Sequence, residues 1–352
     1  MSELTGPVEI VGAGLIGTSI GLACRRAGLE VLLTDPSDDH LRTASGLGAG
    51  RPSAPGDRPQ LVVVAVPPDH LAEEISRALD GETVVTDVGS VKAGPLAALA
   101  ERPGVERYVG GHPMAGSERS GPLAASAALF DGRPWAVTPH PGSDPDAVAL
   151  VEALALLCGA VPVRLTPDEH DKAVARTSHL PHLLASLAAG VLAGAPADHL
   201  ALSGQGVRDV TRVAAGDPAL YGQIVSANAT AVGALLGEVR GRLDEVIAAL
   251  ATGDRAGLEA VLDQGVSGTR AIPGKHGGPP RPTAVVLVAV PDHPGELARL
   301  FADAGESGVN IEDVRIDHDP GRPVGQVELT VDEDRAEHLL GSLESRGWVT
   351  HR

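Results

Sequence analysis

Three scarcities bound what this chain can be. Aromatic residues make up only 2% of its 352 residues, so its cores have to be built from Leu, Val, Ile and Ala. The ring-stacking platforms that bind single-stranded nucleic acid are not expected. Lysine occurs only at Lys92, Lys172 and Lys275, and 28 Lys plus Arg stand against 46 Asp plus Glu, a formal net charge of −18. Nucleic acid and anionic membranes are bound mainly by neutralising phosphate with basic side chains, so neither is an expected partner. Cysteine appears twice, at Cys24 and Cys158. In apolar surroundings the two read as small buried hydrophobes rather than a disulfide or metal pair, and a reducing cytoplasm is the expected setting. No basic segment with a long apolar core opens the chain, and the longest apolar run, Leu183 to Ala195, falls short of the roughly 20 residues of a membrane span. With so negative a field, an anionic small substrate needs specific local arginines to hold it.

What is present begins with a strand-turn-helix signature. Val8 to Val11 reads as a short apolar strand, followed by GAGLIG with Gly12, Gly14 and Gly17, an Ala/Leu-rich helix through Ala27, and a second strand from Glu30 that ends at Asp35. This is the G-x-G-x-x-G fingerprint in its required context, with the acidic residue about 20 positions on. Gly12 permits the tight turn, Gly14 lets backbone approach a pyrophosphate, and Gly17 lets helix pack on strand. The pyrophosphate then rests on the helix N-terminus at Leu15 and Ile16, where amides and dipole favour an anion. Asp35 is expected to accept hydrogen bonds from the adenosine ribose and repel a 2′-phosphate, which points to NAD rather than NADP. Leu61 to Val66, ending in Pro67-Pro68, and Thr83 to Val88, entering DVGSVK, read as buried parallel strands. Ligands bind beyond the carboxyl ends of such strands, so Val66, Pro67, Ser90 and Lys92 are candidates by position; Ser90 also reads as a helix N-cap.

The stretch Gly110 to Gly121, GGHPMAGSERSG, has neither helical nor strand periodicity and reads as a polar, glycine-rich loop. His112, followed by Pro113, is expected to stand outside any regular ladder, free to act as acid, base or hydrogen-bond partner. Strands at 135–139 and 161–165 flank a helix at about 146–157. Helical periodicity follows at 168–178, 180–193, 207–215 and 218–250. GKHGGPPRP at 274–282 reads as a linker, and beyond it a strand-helix-strand-strand-helix-strand order fits a ferredoxin-like module. The expected architecture is therefore a doubly wound Rossmann-type α/β domain over 1–165, an all-helical domain over 166–273, a linker over 274–283 and a small βαββαβ domain over 284–352.

The fingerprint, DVGSVK, GGHPMAGSERSG, SHLPH at 178–182 and GVRDVTRVAAGDP at 206–218, in that order, resemble the prephenate and arogenate dehydrogenases of tyrosine biosynthesis. The turn Asp292-His293-Pro294-Gly295-Glu296-Leu297 resembles the DxPGxL turn of ACT domains. The first resemblance implies NAD-dependent oxidative decarboxylation of prephenate, or of arogenate, by a homodimer, and the second implies control by tyrosine or another aromatic amino acid. It further implies that His112 takes the proton of the substrate hydroxyl, that Ser90 orients His112 and substrate, and that Arg212 grips a substrate carboxylate. His182, Ser117, Glu118 and Tyr221 correspond to further pocket positions. The residues alone leave other readings open. Arg212 can pair with Asp209 at i−3, with Arg208 the next candidate anchor, and Tyr221 can be a core aromatic. His179 and His182 are spaced as metal ligands could be, yet no third ligand follows, and no metal is expected. A catalytically silent NAD-binding regulator is the rival of a different class, and an intact Ser90, His112 and Arg212 argue against it.

Overall fold

In the computed structural model, residues 3–116, 119–272, 282–318 and 324–352 are described. Residues 274–281 of the expected linker and the loop residues Ser117 and Glu118 lie outside them, while Thr283, expected at the linker's end, already belongs to a strand. The chain divides into two compact units, Met1–Arg240 and Gly241–Arg352.

The first unit opens with β1 (Val8–Val11), α1 (Leu15–Arg26), β2 (Val31–Thr34), α2 (Asp38–Gly46), β3 (Arg51–Pro52), β4 (Leu61–Val64), α3 (Pro68–Ala78), β5 (Val84–Asp87), α4 (Ala93–Ala98), β6 (Tyr108–Pro113), β7 (Pro134–Thr138), α5 (Pro145–Leu157) and β8 (Val161–Arg164). The strands form one sheet in the order β3-β2-β1-β4-β5-β6-β7-β8, whose first six have the Rossmann order. Those six run parallel, β7 turns antiparallel to β6, and β8 follows β7. The all-apolar strand β4 is buried at every position, as expected of a strand covered on both faces. Val8, Ile10, Leu61, Val63 and Val109 form one side of the core, with Trp135, Phe130 and the two free cysteines Cys24 and Cys158. Because the strands are parallel, the ends of β1, β4, β5 and β6 share one rim.

His112 is not in a loop. It lies within β6, paired across the ladder with Ala136 of β7, and every residue from Tyr108 to Pro113 is buried. The periodicity was hidden because Gly110 and Gly111 are there for clearance. A Cβ on Gly110 would lie 2.4 Å from Thr138 Oγ1, and one on Gly111 would lie 2.7 Å from the Asp87 carbonyl oxygen. Two glycines in a strand mark close approach by neighbouring groups.

The unit continues with α6 (Pro167–Val174), α7 (Leu180–Leu192), α8 (Ala197–Leu200), α9 (Gln205–Thr211), α10 (Pro218–Ala227) and the start of α11 (Ala229–Thr252). Helix α4 packs on α6 and α3 on α10; Ala175, Val232 and Leu235 form a small core of their own. The helix expected over 168–178 ends early, and the one expected over 218–250 is broken. A π-turn, Ala175–His179, separates α6 from α7, just before Pro181, which has no amide to bond the carbonyl four residues back. Helices α10 and α11 meet at 95°, because Asn228 between them leaves helical geometry and its side chain bonds elsewhere. No single helix among the described residues is long and apolar enough to cross a membrane; the bent α10–α11 pair passes that test by length and composition.

The second unit holds α12 (Arg255–Arg270), which was not among the expected helices, then β9 (Thr283–Pro291), α13 (Glu296–Glu306), β10 (Ile311–His318), β11 (Val324–Asp332), α14 (Glu333–Ser345) and β12 (Val349–His351). Its small antiparallel sheet has the order β10-β11-β9-β12. Leu300, Ala304, Ala336, Leu339 and Leu343 pack from the two helices onto the sheet's valines.

Candidate active site

The glycine turn between β1 and α1 is shaped for a phosphate. Gly12 has φ +106 and a Cβ there would sit 2.4 Å from the Ala65 carbonyl oxygen, while a Cβ on Gly17 would be 1.9 Å from Gly12's own carbonyl. Neither position admits another residue without displacing β4 or the helix. At Gly14, by contrast, a Cβ would meet nothing within 4 Å, and no side chain caps the helix that begins with Leu15 and Ile16. Open space over uncapped amides is what a pyrophosphate needs, so the cradle fits a dinucleotide. Val66 lines the turn, its amide 3.2 Å from the same hypothetical Gly12 Cβ, and Pro67 caps α3 beside it. Asp35, at the end of β2, is more engaged than expected: Ala13 N–H donates to one oxygen at 2.7 Å and Ser37 N–H to the other at 2.8 Å. Each carboxylate oxygen keeps a further lone pair, so the residue both ties the turn and can receive a ribose hydroxyl.

Behind His112 lies a buried polar cluster. Lys92, 1% exposed, directs its ammonium at Asp87, which is fully buried, and donates to the Gly111 carbonyl at 2.8 Å. Asp87 also accepts from the Tyr108 hydroxyl at 2.9 Å and from Gly89 N–H at 2.8 Å. Burial pulls the Lys92 pKa below its usual value, against the opposing pull of Asp87, and pushes the Tyr108 phenol well up, reinforced by the Asp87 charge.

The His112 side chain makes one hydrogen bond with the described residues: its Nδ1 lies 2.9 Å from Nε2 of His170 on α6. His170 Nδ1 in turn lies 2.8 Å from Asp171 Oδ1. The Asp171 carboxylate also accepts the backbone amides of Lys92 at 2.8 Å and Ala93 at 2.9 Å, so it caps α4. Ser90, expected as that cap, is not: the N-cap position is Lys92, without a side-chain bond, and Ser90 stands half-buried in the turn ahead of it. Burial alone would raise the Asp171 pKa, but His170 and the two amides outweigh it and leave the carboxyl below its usual range. His112 is held neutral, its pKa driven well below the ordinary histidine value by burial and by the proximity of His170, Lys92 and His179.

The neighbouring wall comes from the helices. Asn228 donates to the Asp171 carbonyl at 2.7 Å and lies 3.3 Å from His179 Nδ1. Burial brings the His179 pKa down to about 4. His182, one turn along, engages a different partner: its ring stacks on Tyr221, centroids 3.4 Å apart and 4° from parallel. The two histidines thus do not converge on a common point. A Cβ at Gly216 would lie 2.7 Å from Tyr221 and 3.1 Å from His182, so glycine there makes room for the stack. Arg212 opens the 3₁₀ turn Arg212–Ala215 that leads to Gly216 and packs on α7. Among the described residues the buried His182 Nδ1 has no hydrogen-bond partner, an orphaned polar atom of the kind a ligand satisfies. The structure therefore brings His182 and Tyr221 together, packs the turn that begins at Arg212 on the same helix, and places His112 with Lys92 at the strand rim. His170, Asp171 and Asn228 were not anticipated. The adjacent His-Asp pair carries no spacing signature, and only its position just after the last strand of the sheet hints at a role.

Residues 20–173 match the family described as prephenate dehydrogenase, nucleotide-binding domain, and residues 166–264 match prephenate dehydrogenase, dimerization domain. A probable prephenate dehydrogenase of Streptomyces niveus, NovF, is 38% identical over 96% of this chain and 98% of its own length. The prephenate dehydrogenase of Bacillus subtilis is 28% identical over 90% of this chain and 89% of its own. Among solved structures, the prephenate dehydrogenase of Aquifex aeolicus, in complex with hydroxyphenyl propionate and NAD+, superposes with TM-score 0.68 at 26% identity, covering 75% of this chain and 96% of that one. The Synechocystis arogenate dehydrogenase gives TM-score 0.64 at 26% identity, covering 75% and 98%. With an uncapped phosphate cradle, a neutral buried histidine on the same rim and these likenesses along its length, the chain belongs to the prephenate dehydrogenase family of NAD-dependent oxidoreductases.

Proposed function

We propose that this chain catalyses the oxidative decarboxylation of prephenate to 4-hydroxyphenylpyruvate with NAD. The observation that carries this is His112, buried and neutral at the end of β6, with Nδ1 engaged by His170 and no partner for Nε2 among the described residues. NAD, seated on Gly12, Gly14 and Gly17 with Asp35 at its ribose, supplies the acceptor for the hydride. His112 Nε2 takes the hydroxyl proton as the ring carbon becomes a carbonyl. Loss of carbon dioxide then sends an electron pair into the ring, and the resulting phenolate can recover the proton from His112. Ser90 orients the hydroxyl toward His112. Arg212 holds a substrate carboxylate, where its fork of donors gives both charge and direction, and His182, kept in place by Tyr221, offers its orphaned nitrogen. The family resemblance alone gives Ser117 and Glu118 a part in substrate binding; both lie outside the described residues.

Within this reading, 1–165 binds the dinucleotide and 166–273 completes the pocket and forms a homodimer. Leu187 and Val191, one turn apart on α7, are 64% and 80% exposed in the single chain, which supports a covered face in the assembly. The strand-helix order of 284–352 and the positive φ of Gly295 in its turn support an ACT domain that binds tyrosine or a related aromatic amino acid. A cytoplasmic setting accords with the two free thiols.

The test is NADH formation with NAD and either prephenate or arogenate, with and without tyrosine. Faster turnover of prephenate, inhibited by tyrosine, is the expected result; preference for arogenate moves the assignment to the other activity of the family, and no turnover of either refutes it. Arg212→Ala should raise the prephenate KM roughly 10- to 100-fold, as follows from about 1.5–3 kcal/mol for hydrogen bonds to charged groups, with kcat changed much less. An unchanged KM would shift the anchor to Arg208.

A further inference from the structure

We propose that His170 and Asp171 form, with His112, a three-member relay in which His170 is the positioning residue that fixes His112 in its working tautomer and shares the positive charge after proton capture. The inference rests on His112 being the base and adds two residues to that assignment.

The direction of each bond follows from donor inventory. An ionised Asp171 only accepts, so His170 Nδ1 must donate to it across 2.8 Å. The relay has His170 neutral, presenting a lone pair at Nε2, so that across the 2.9 Å contact His112 Nδ1 carries the hydrogen. That leaves His112 Nε2 as an unprotonated acceptor, the only form that can take a proton from a hydroxyl. Were His170 absent, the opposite tautomer would be open and the base would present an N–H to the substrate. When Nε2 is protonated, the Nδ1 proton can pass to His170 Nε2, placing the cation beside Asp171. No proton is gained or lost in the relay; it returns along the same path to the phenolate.

The relay is also fixed from outside. Its rings meet edge to face with centroids 5.1 Å apart, and the Asp171 carboxylate is held by two amides of the α4 turn while Asn228 holds its backbone carbonyl. Among the described residues the charged and titratable groups facing it are Lys92 from the turn before α4, paired to Asp87 of β5, and His179 from the π-turn. Lys92 and a protonated His170 both oppose a cation on His112, so only Asp171 favours moving it to His170.

The experiment compares the parent, His112→Asn, His170→Ala and His170→Gln for kcat, prephenate KM, NAD binding and the pH dependence of kcat/KM. His170→Ala should lose about 10²-fold in kcat, the lower end of what general-base help contributes. KM should change little, and added imidazole should restore part of the rate. Its acid limb should move down, because the cation can no longer be passed to a ring beside Asp171 and the still-buried His112 is harder to protonate. His170→Gln, whose amide can accept from His112 and donate to Asp171, should recover much of the loss; it also carries the test if the alanine variant does not fold. Turnover in His112→Asn equal to the parent would overturn the base assignment itself. A dead His112→Asn beside His170 variants with the parental kcat and acid limb would overturn the relay alone.

Discussion

Replacing His112 by Asn is expected to lower kcat by about 10²–10⁴, the usual contribution of a positioned general base, while NAD binding stays near the parental level. The separation follows from the geometry. The cradle is made of Gly12, Gly14 and Gly17 at the end of β1, whereas His112 stands on β6, two strands beyond β4 in the sheet. Asn is smaller than His, fits the strand and keeps a polar atom near His170, but it has no lone pair able to hold a proton at neutral pH. Single-turnover NADH formation and a cofactor titration by fluorescence decide the matter. Parental kcat would remove His112 from the chemistry; a parallel collapse of NAD affinity would show that its role is to support the cradle.

The second large effect is on stability. Lys92→Met should destabilise the fold by about 3–5 kcal/mol, the range found when one partner of a buried ion pair is removed. Asp87 would remain fully buried with only Tyr108 and two backbone amides to offset its charge. Methionine matches the lysine stem in length, so packing around Gly110 is retained and the loss is attributable to the charge. Urea denaturation reads it directly. Adding Asp87→Asn to the same chain should return part of the stability by removing the stranded carboxylate. A midpoint shift worth less than about 1 kcal/mol, the level of an exposed pair, would mean that Asp87 is neutral or hydrated when alone.

How legible was this in the sequence? The cradle was, because glycine is required there for reasons that act within a few residues: a positive φ at Gly12 and close approach at Gly17. The parallel strands were, because a strand buried on both faces is apolar throughout, as Leu61 to Val64 is. The placement of His112 on a strand was not. Its neighbours Gly110 and Gly111 serve clearance from Thr138 and Asp87, contacts that only the folded sheet creates, and they erase the alternation by which a strand is recognised. His170 and Asp171 escaped for a related reason. Adjacent residues on a helix do not ordinarily share a face, yet here one ring reaches His112 while the neighbouring carboxylate bends back to it and to α4. Asn228 looked like an interior helix residue, whereas its bonds to Asp171 and His179 are what turn the chain between α10 and α11.

The Asp171 carboxylate is asked to do two things at once: hold the first amides of α4 and hold His170. Any breathing motion that draws α6 away from α4 must release both together. A molecule caught open at this seam therefore has an unclamped turn next to Ser90 and a base free to flip to its unproductive tautomer. Under the proposed relay, the clamp on the α4 turn and the tautomer of His112 thus depend on the same carboxylate.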